Sequence, residues 1–286
     1  MPPIVRIYRK SIIIALSVMI IFGAGGFVFR GELRDLLDFK KITEQASLPK
    51  ETAADEAQNQ EEVIGEEANA NIGIAADDSF EGSEQEVLGA ATQKKPLPAE
   101  INLKIPFTSQ APHANWNLPY GEACEEASAL MVHYFYKNKT FTKESADAEI
   151  KKLVDFQTKK YGFYKDSTAD ETARFIKDYL KYKKVRVLPA TINAIKQELA
   201  AGRPVIIPAA GRLLGNPNFR QPGPLYHMLV VKGYTKDGKF ITNDPGTRNG
   251  ANYVYSQKVL MNAIHDWNGG DVNNGKKVII VVDYDK

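Results

Sequence analysis

Residues 119–131 read "PYGEACEEASALM", and they hold the only cysteine among the 286 residues, Cys124. A lone cysteine forms no internal disulfide, so two readings compete. Cys124 is either a small buried apolar residue or a nucleophile at the start of a helix. Downstream, Ala127, Leu130, Met131, Tyr134 and Phe135 recur at the i, i+3, i+4 spacing of one helix face. The preceding "PYGEA" then places Cys124 in the first turn, where unpaired N–H groups and the helix dipole favour a thiolate. Glu125 and Glu126 suit a helix N-terminus, although their charges oppose that thiolate.

Working outward, the pattern predicts three more helices. One covers Lys143 to Phe156. The next opens at "STADETARFI", where Ser167 with Asp170, or Thr168 with Glu171, makes a capping box. The last runs from Thr191 as N-cap to Ala201, with Gly202 as its stop. Strands follow: "PVIIPA", then "HMLVVKGY" and "KFITN" around a "KDG" turn, then "KKVIIVVDY". Helices first and an antiparallel sheet afterwards is an α+β order.

The N-terminal third is unlike the rest. Arg6, Arg9 and Lys10 precede 19 uncharged residues from Ser11 to Phe29. At about 1.5 Å per residue these span the apolar core of a bilayer as a helix. Continuation of the apolar run through "FVF", past "GAGG", favours a transmembrane signal anchor over a cleaved signal peptide. Residues 1–41 are therefore read as a cytoplasmic stub, anchor and flank. Residues 42–93 carry 13 acidic side chains against one lysine. With almost no aromatics, that composition predicts a disordered acidic tether. Residues 94–286 then form the folded domain, with 29 basic and 19 acidic side chains, outside the cytoplasm. Export disfavours a nucleic-acid partner, and no ligand spacing for a metal and no cofactor motif is present.

A nucleophilic cysteine needs a base. His133 lies nine residues along the same helix, about 13 Å away along its axis, too far to pair with Cys124. His227 opens the strand "HMLVV", and Asp244 in "NDPG" ends the returning strand. A carboxylate there holds an imidazole tautomer and stabilises its charged form. A two-residue turn at Asp237 and Gly238 would pair Val231 with Asp244, leaving His227 about 13 Å further along. Contact therefore needs a longer loop or a bulge, for which Gly233 is a candidate. Gln110, in "PFTSQAP", is a candidate side-chain donor to an oxyanion.

Together, "IPFTSQAP…NWNLPYGEACEEASALM", "AAGRPVIIPA", "GPLYHMLVVKGY" and "NDPG" resemble papain-like cysteine peptidases of the bacteriocin-processing type, in the free-standing C39-like form. The resemblance implies a papain-like α+β fold, with the nucleophile helix of the N-terminal half packed on an antiparallel sheet. It implies Cys124 as nucleophile, His227 as base, Asp244 as orienting acid and Gln110 as oxyanion donor. Two departures stand out: the gap from Gln110 to Cys124 is long, and Glu125 follows the cysteine where relatives often have glycine. The implied activity is hydrolysis of peptide or protein substrates through a thioester. An amidase or acyltransferase acting on cell-wall peptides, and a catalytically silent binding domain, are the alternatives.

Overall fold

The computed structural model describes residues 47–53 and 96–284. The candidate anchor over 11–29 lies outside them, as does most of the acidic segment. Among the described residues no helix is long and apolar enough to cross a membrane. Chain contacts divide the protein into Met1–Leu48 and Pro49–Lys286, and the description that follows concerns the second unit.

Its centre is a seven-stranded antiparallel sheet. The strands are β1 (Ile101–Asn102), β2 (Lys184–Pro189), β3 (Val205–Ala210), β4 (Tyr226–Tyr234), β5 (Phe240–Asn243), β6 (Tyr253–Tyr255) and β7 (Val278–Asp283). They lie in the order β2-β7-β3-β4-β5-β6, with β1 paired to the far end of β4. All six residues of β3 and all nine of β4 are buried. This is why their sequences read as continuous apolar runs rather than an alternation.

The helices are α1 (Cys124–Tyr136), α2 (Lys143–Tyr161), α3 (Ala169–Asp178), α4 (Ile192–Ala200) and α5 (Gln257–Ala263). The α1 helix packs on β4 and buries eleven of its thirteen residues, so its apolar face extends nearly all round. The α3 helix opens with the Thr168–Glu171 capping box, each side chain accepting from the other's backbone N–H. Thr191 caps α4 by accepting from the Ala194 N–H. Gly202, at φ +69°, supplies the left-handed residue just beyond it. The α2 helix continues five residues past the expected Phe156, to a left-handed Gly162.

Four elements have no counterpart in the sequence reading: β1, β2, β6 and α5. β2 alternates apolar and polar residues as "KVRVLP" and carries Arg186 at its middle. Arg186 spans Glu198 on α4 and Asp283 on β7 with bidentate bonds of 2.7–3.2 Å.

The boundary of the folded unit also needs correction. The acidic tether expected over 42–93 is not separate from the domain at its start. Thr52 bridges Leu103 as a parallel partner. Its N–H donates to the Asn102 carbonyl at 2.8 Å, and its carbonyl accepts from the Lys104 N–H at 2.7 Å. Asn102 Nδ2 donates to the Pro49 carbonyl at 2.9 Å. Beneath this short added strand, Lys232 of β4 is 1% exposed and donates to Glu51 at 2.5 Å and to Asn252 Oδ1 at 2.7 Å. The segment is retained because a buried ammonium needs a counter-charge, and Glu51 supplies it.

Candidate active site

The β4–β5 hairpin settles where His227 and Asp244 meet. Its loop is longer than the two-residue turn considered above, because Tyr234 faces Phe240 across five intervening residues. The register shifts between Val231 and Gly233. Val231 therefore faces Thr242, not Asp244, and Asp244 moves two places back towards His227. His227 Nε2 and Asp244 Oδ1 are 2.8 Å apart, with both side chains sealed from solvent. The Nδ1 edge of the imidazole is left for a reacting group.

Asp244 is held by more than the histidine. Its Oδ1 accepts from the Gly246 N–H at 3.0 Å. Its Oδ2 accepts from Tyr255 Oη at 2.7 Å and from Asn216 Nδ2 at 3.2 Å. Burial alone would push this carboxyl up, but the His227 charge and the hydrogen bonds from His227, Tyr255 and the Gly246 N–H hold it below the usual carboxylate range. Gly246 lies so close to the imidazole that a Cβ there would come within 2.8 Å of His227 Cε1. The glycine of "NDPG" is thus required by space. Asn216 and Tyr255 went unnoticed in the sequence: neither lies beside a candidate site residue, and the fold alone brings them to Asp244.

Cys124 occupies the first position of α1, and Ala123 before it makes no side-chain cap. Cys124, His227 and Gln110 line one cavity of about 460 Å³. The thiol lies near β4, where the Met228 backbone N–H favours its charged form. The thiolate stabilisation expected from the helix N-terminus is nevertheless outweighed. Burial pushes the thiol up, and Glu125 adds to this through its charge and by accepting the thiol hydrogen bond, Sγ to Oε2 at 3.0 Å. Glu125 is itself 1% exposed, and its Oε1 accepts from the Ser167 N–H at 3.0 Å. The sequence reading sets the Glu125 charge against thiolate formation, and the structure places its carboxyl directly on the nucleophile candidate.

Gln110 is placed differently from an oxyanion donor. Its Nε2 donates to the carbonyls of Tyr120 at 2.9 Å and Gly121 at 3.1 Å. Both amide hydrogens therefore hold the turn that leads into Cys124, and neither is free for a substrate. Its Oε1 is buried without a partner. His133 bonds Tyr182 at 3.0 Å on the far part of α1, and His265 bonds the Gly275 carbonyl at 2.9 Å.

Glu126, the second acid of the helix start, is fully buried against Gln157, and burial pushes its carboxyl up to about 8. An unfolded glutamate titrates near about 4.3. Between these values the folded protein keeps a proton that the unfolded chain has lost, so stability falls as pH rises from about 4.5 to 8. The low-lying Asp244, Glu198 and Asp283 act oppositely and lose their contribution as pH falls below about 4. Urea denaturation is thus expected to show a higher midpoint at pH 5.5 than at pH 8. Glu126→Gln should flatten that slope, and equal wild-type midpoints at the two pH values would count against it.

Comparison with known proteins follows the same lines. No curated protein matches the chain. A crystal structure described as a C39-like peptidase from Bacillus anthracis is 17% identical with a TM-score of 0.40, covering 65% of this chain and 99% of that one. A cysteine-to-alanine mutant fragment of prointerpain A from Prevotella intermedia is 14% identical with a TM-score of 0.35, covering 51% of this chain and 45% of that one. The profile of the Peptidase_C39-like family matches residues 102–269, a span that includes β4 with His227 and the end of β5, just beyond which Asp244 lies. With that match spanning more than half of its length, the chain belongs to the Peptidase_C39-like family.

Proposed function

We propose that the protein is a membrane-anchored cysteine peptidase acting outside the cytoplasm, with Cys124, His227 and Asp244 as its catalytic residues. The observation that carries this reading is the 2.8 Å bond from His227 Nε2 to Asp244, made beside a cavity that Cys124 also lines. The bond fixes the imidazole with Nδ1 towards the cavity. In the reaction, the thiol proton passes to His227 as sulfur attacks the peptide carbonyl. The imidazolium then protonates the leaving amine, a thioester remains on Cys124, and water activated by His227 hydrolyses it. Asp244 keeps its charge throughout and stabilises the imidazolium. The oxyanion falls to backbone N–H groups of the first turn of α1, since the Gln110 amide is engaged elsewhere. The anchoring part of the proposal rests on the uncharged segment 11–29.

A second reading has one observation in its favour: the Cys124–Glu125 hydrogen bond, which fits a silent binding domain equally well. Peptide hydrolysis by the purified full chain decides between them. Loss of all turnover in Cys124→Ser and in His227→Ala, with unchanged folding, is the expected result. Full hydrolysis by Cys124→Ser would exclude the nucleophile, and absence of turnover and of thiol labelling in the folded wild type would favour the silent domain.

A further inference from the structure

The cavity around Cys124 is chemically lopsided. On the side of the nucleophile its wall carries Glu122, two residues before the cysteine, and Asp166, next to the Ser167 that anchors Glu125. Neither carboxylate has a hydrogen-bond or ion-pair partner among the described residues. Burial raises the Glu122 carboxyl, and the charge of Asp166 raises it further, so the two are close enough to repel each other. Gln110, only 4% exposed, lines the same cavity, and its Oε1 is an acceptor without a donor. The unpaired acceptors here are thus Glu122, Asp166 and the Gln110 oxygen. Two indoles, Trp116 and Trp267, also line it, and aromatic faces favour cations. The opposing charges are exposed: Lys165, next to Asp166, lowers both carboxyls, and Arg220, beside the Phe219 that packs on His227, lines the same cavity.

A pair of half-buried carboxylates with no ion-pair partner repels an acidic group, offers an apolar one nothing, and gains charge-assisted hydrogen bonds from a cation. We infer that this cleft selects a lysine or arginine side chain beside the scissile bond, held by Glu122 and Asp166. The inference deepens the peptidase reading and rests on it. The same ammonium chemistry could come from the free N-terminus of a short substrate, and the test separates the two sources.

The full chain is offered a library of end-blocked peptides carrying Lys, Arg, norleucine or Glu at each position, with products read by mass spectrometry. A second set has free N-termini. At one position Lys or Arg is expected to raise kcat/KM at least tenfold over norleucine. Glu122→Gln with Asp166→Asn is expected to bring that ratio to within twofold. No positional preference, or a preference that survives the double variant, would overturn the inference. A preference confined to free N-termini would overturn the side-chain assignment. In parallel, the same peptides are titrated against Cys124→Ala by fluorescence polarisation. If the wild type cleaves nothing, the peptidase reading fails separately. In that case tighter binding of Lys and Arg peptides, lost with both acids neutralised, still upholds the charge selection, and equal binding of all four overturns it.

Discussion

Glu125→Gln is expected to speed alkylation of Cys124 by iodoacetamide at pH 7 by about tenfold or more, since one unit of thiol pKa is a tenfold change in thiolate. In the wild type the thiol donates to a carboxyl sealed from water, which burial and the Glu126 charge push well above the usual range, and once ionised that carboxyl opposes a second negative charge 3.0 Å away. Glutamine keeps an oxygen for the Ser167 N–H and offers its amide N–H to sulfur, so the fold survives while the charge goes. The pH profile of alkylation should shift to lower pH in the variant. Glu125→Ala is a less clean probe, because the orphaned Ser167 N–H costs about 1–3 kcal/mol in its own right. An unchanged or slower alkylation rate in Glu125→Gln would show that the carboxyl does not restrain the nucleophile. A faster rate would make Glu125 a brake on thiolate formation, and the difference from relatives with glycine at this place would then have a function.

Glu51→Gln is expected to destabilise the folded unit by about 2–3 kcal/mol, at the lower end of the range for breaking a buried pair because Glu51 is itself 36% exposed. Burial lowers the Lys232 ammonium, and Glu51 is the charge that holds it up. Without that charge, the ammonium on β4 keeps neutral acceptors alone, the Asn252 oxygen and the glutamine carbonyl. The discriminating control is Lys232→Met in the Glu51→Gln background, which removes the orphaned charge and should recover most of the loss. A urea midpoint for Glu51→Gln equal to wild type would mean that the added strand is dispensable. Removal of residues 1–53 should cost at least as much, since it also takes the backbone bonds of Thr52.

What was legible in the sequence divides by distance along the chain. Local signals carried well: the capping box at Thr168, the stop at Gly202 and the apolar face of α1 are all written within a few residues. The meeting of His227 and Asp244 was half legible, because period-2 counting gave the right hairpin and the wrong register. A bulge and a loop of five residues change the count by two, and neither is fixed by composition. Glu51 and Lys232 are 181 residues apart, and nothing near either one signals the other. Charged residues at a helix start read as solvent-facing, so the inward turn of Glu125 and Glu126 depended on which face α1 lays on β4. Gln110 was recognised as important for its position, but its hydrogens are spent on the turn before Cys124.

The added strand at Thr52 has a mechanical consequence. Thr52 lies beside Leu103, and Pro98 is fixed nearby through Tyr234, so the chain leaves the domain and returns to it almost at the point of departure. A pull from the N-terminal side loads the Pro49–Thr52 clip itself and never stretches the acidic segment. A single cut within residues 54–95 therefore leaves both pieces joined by the clip. Release requires the Glu51–Lys232 contact and its flanking backbone bonds to yield as well.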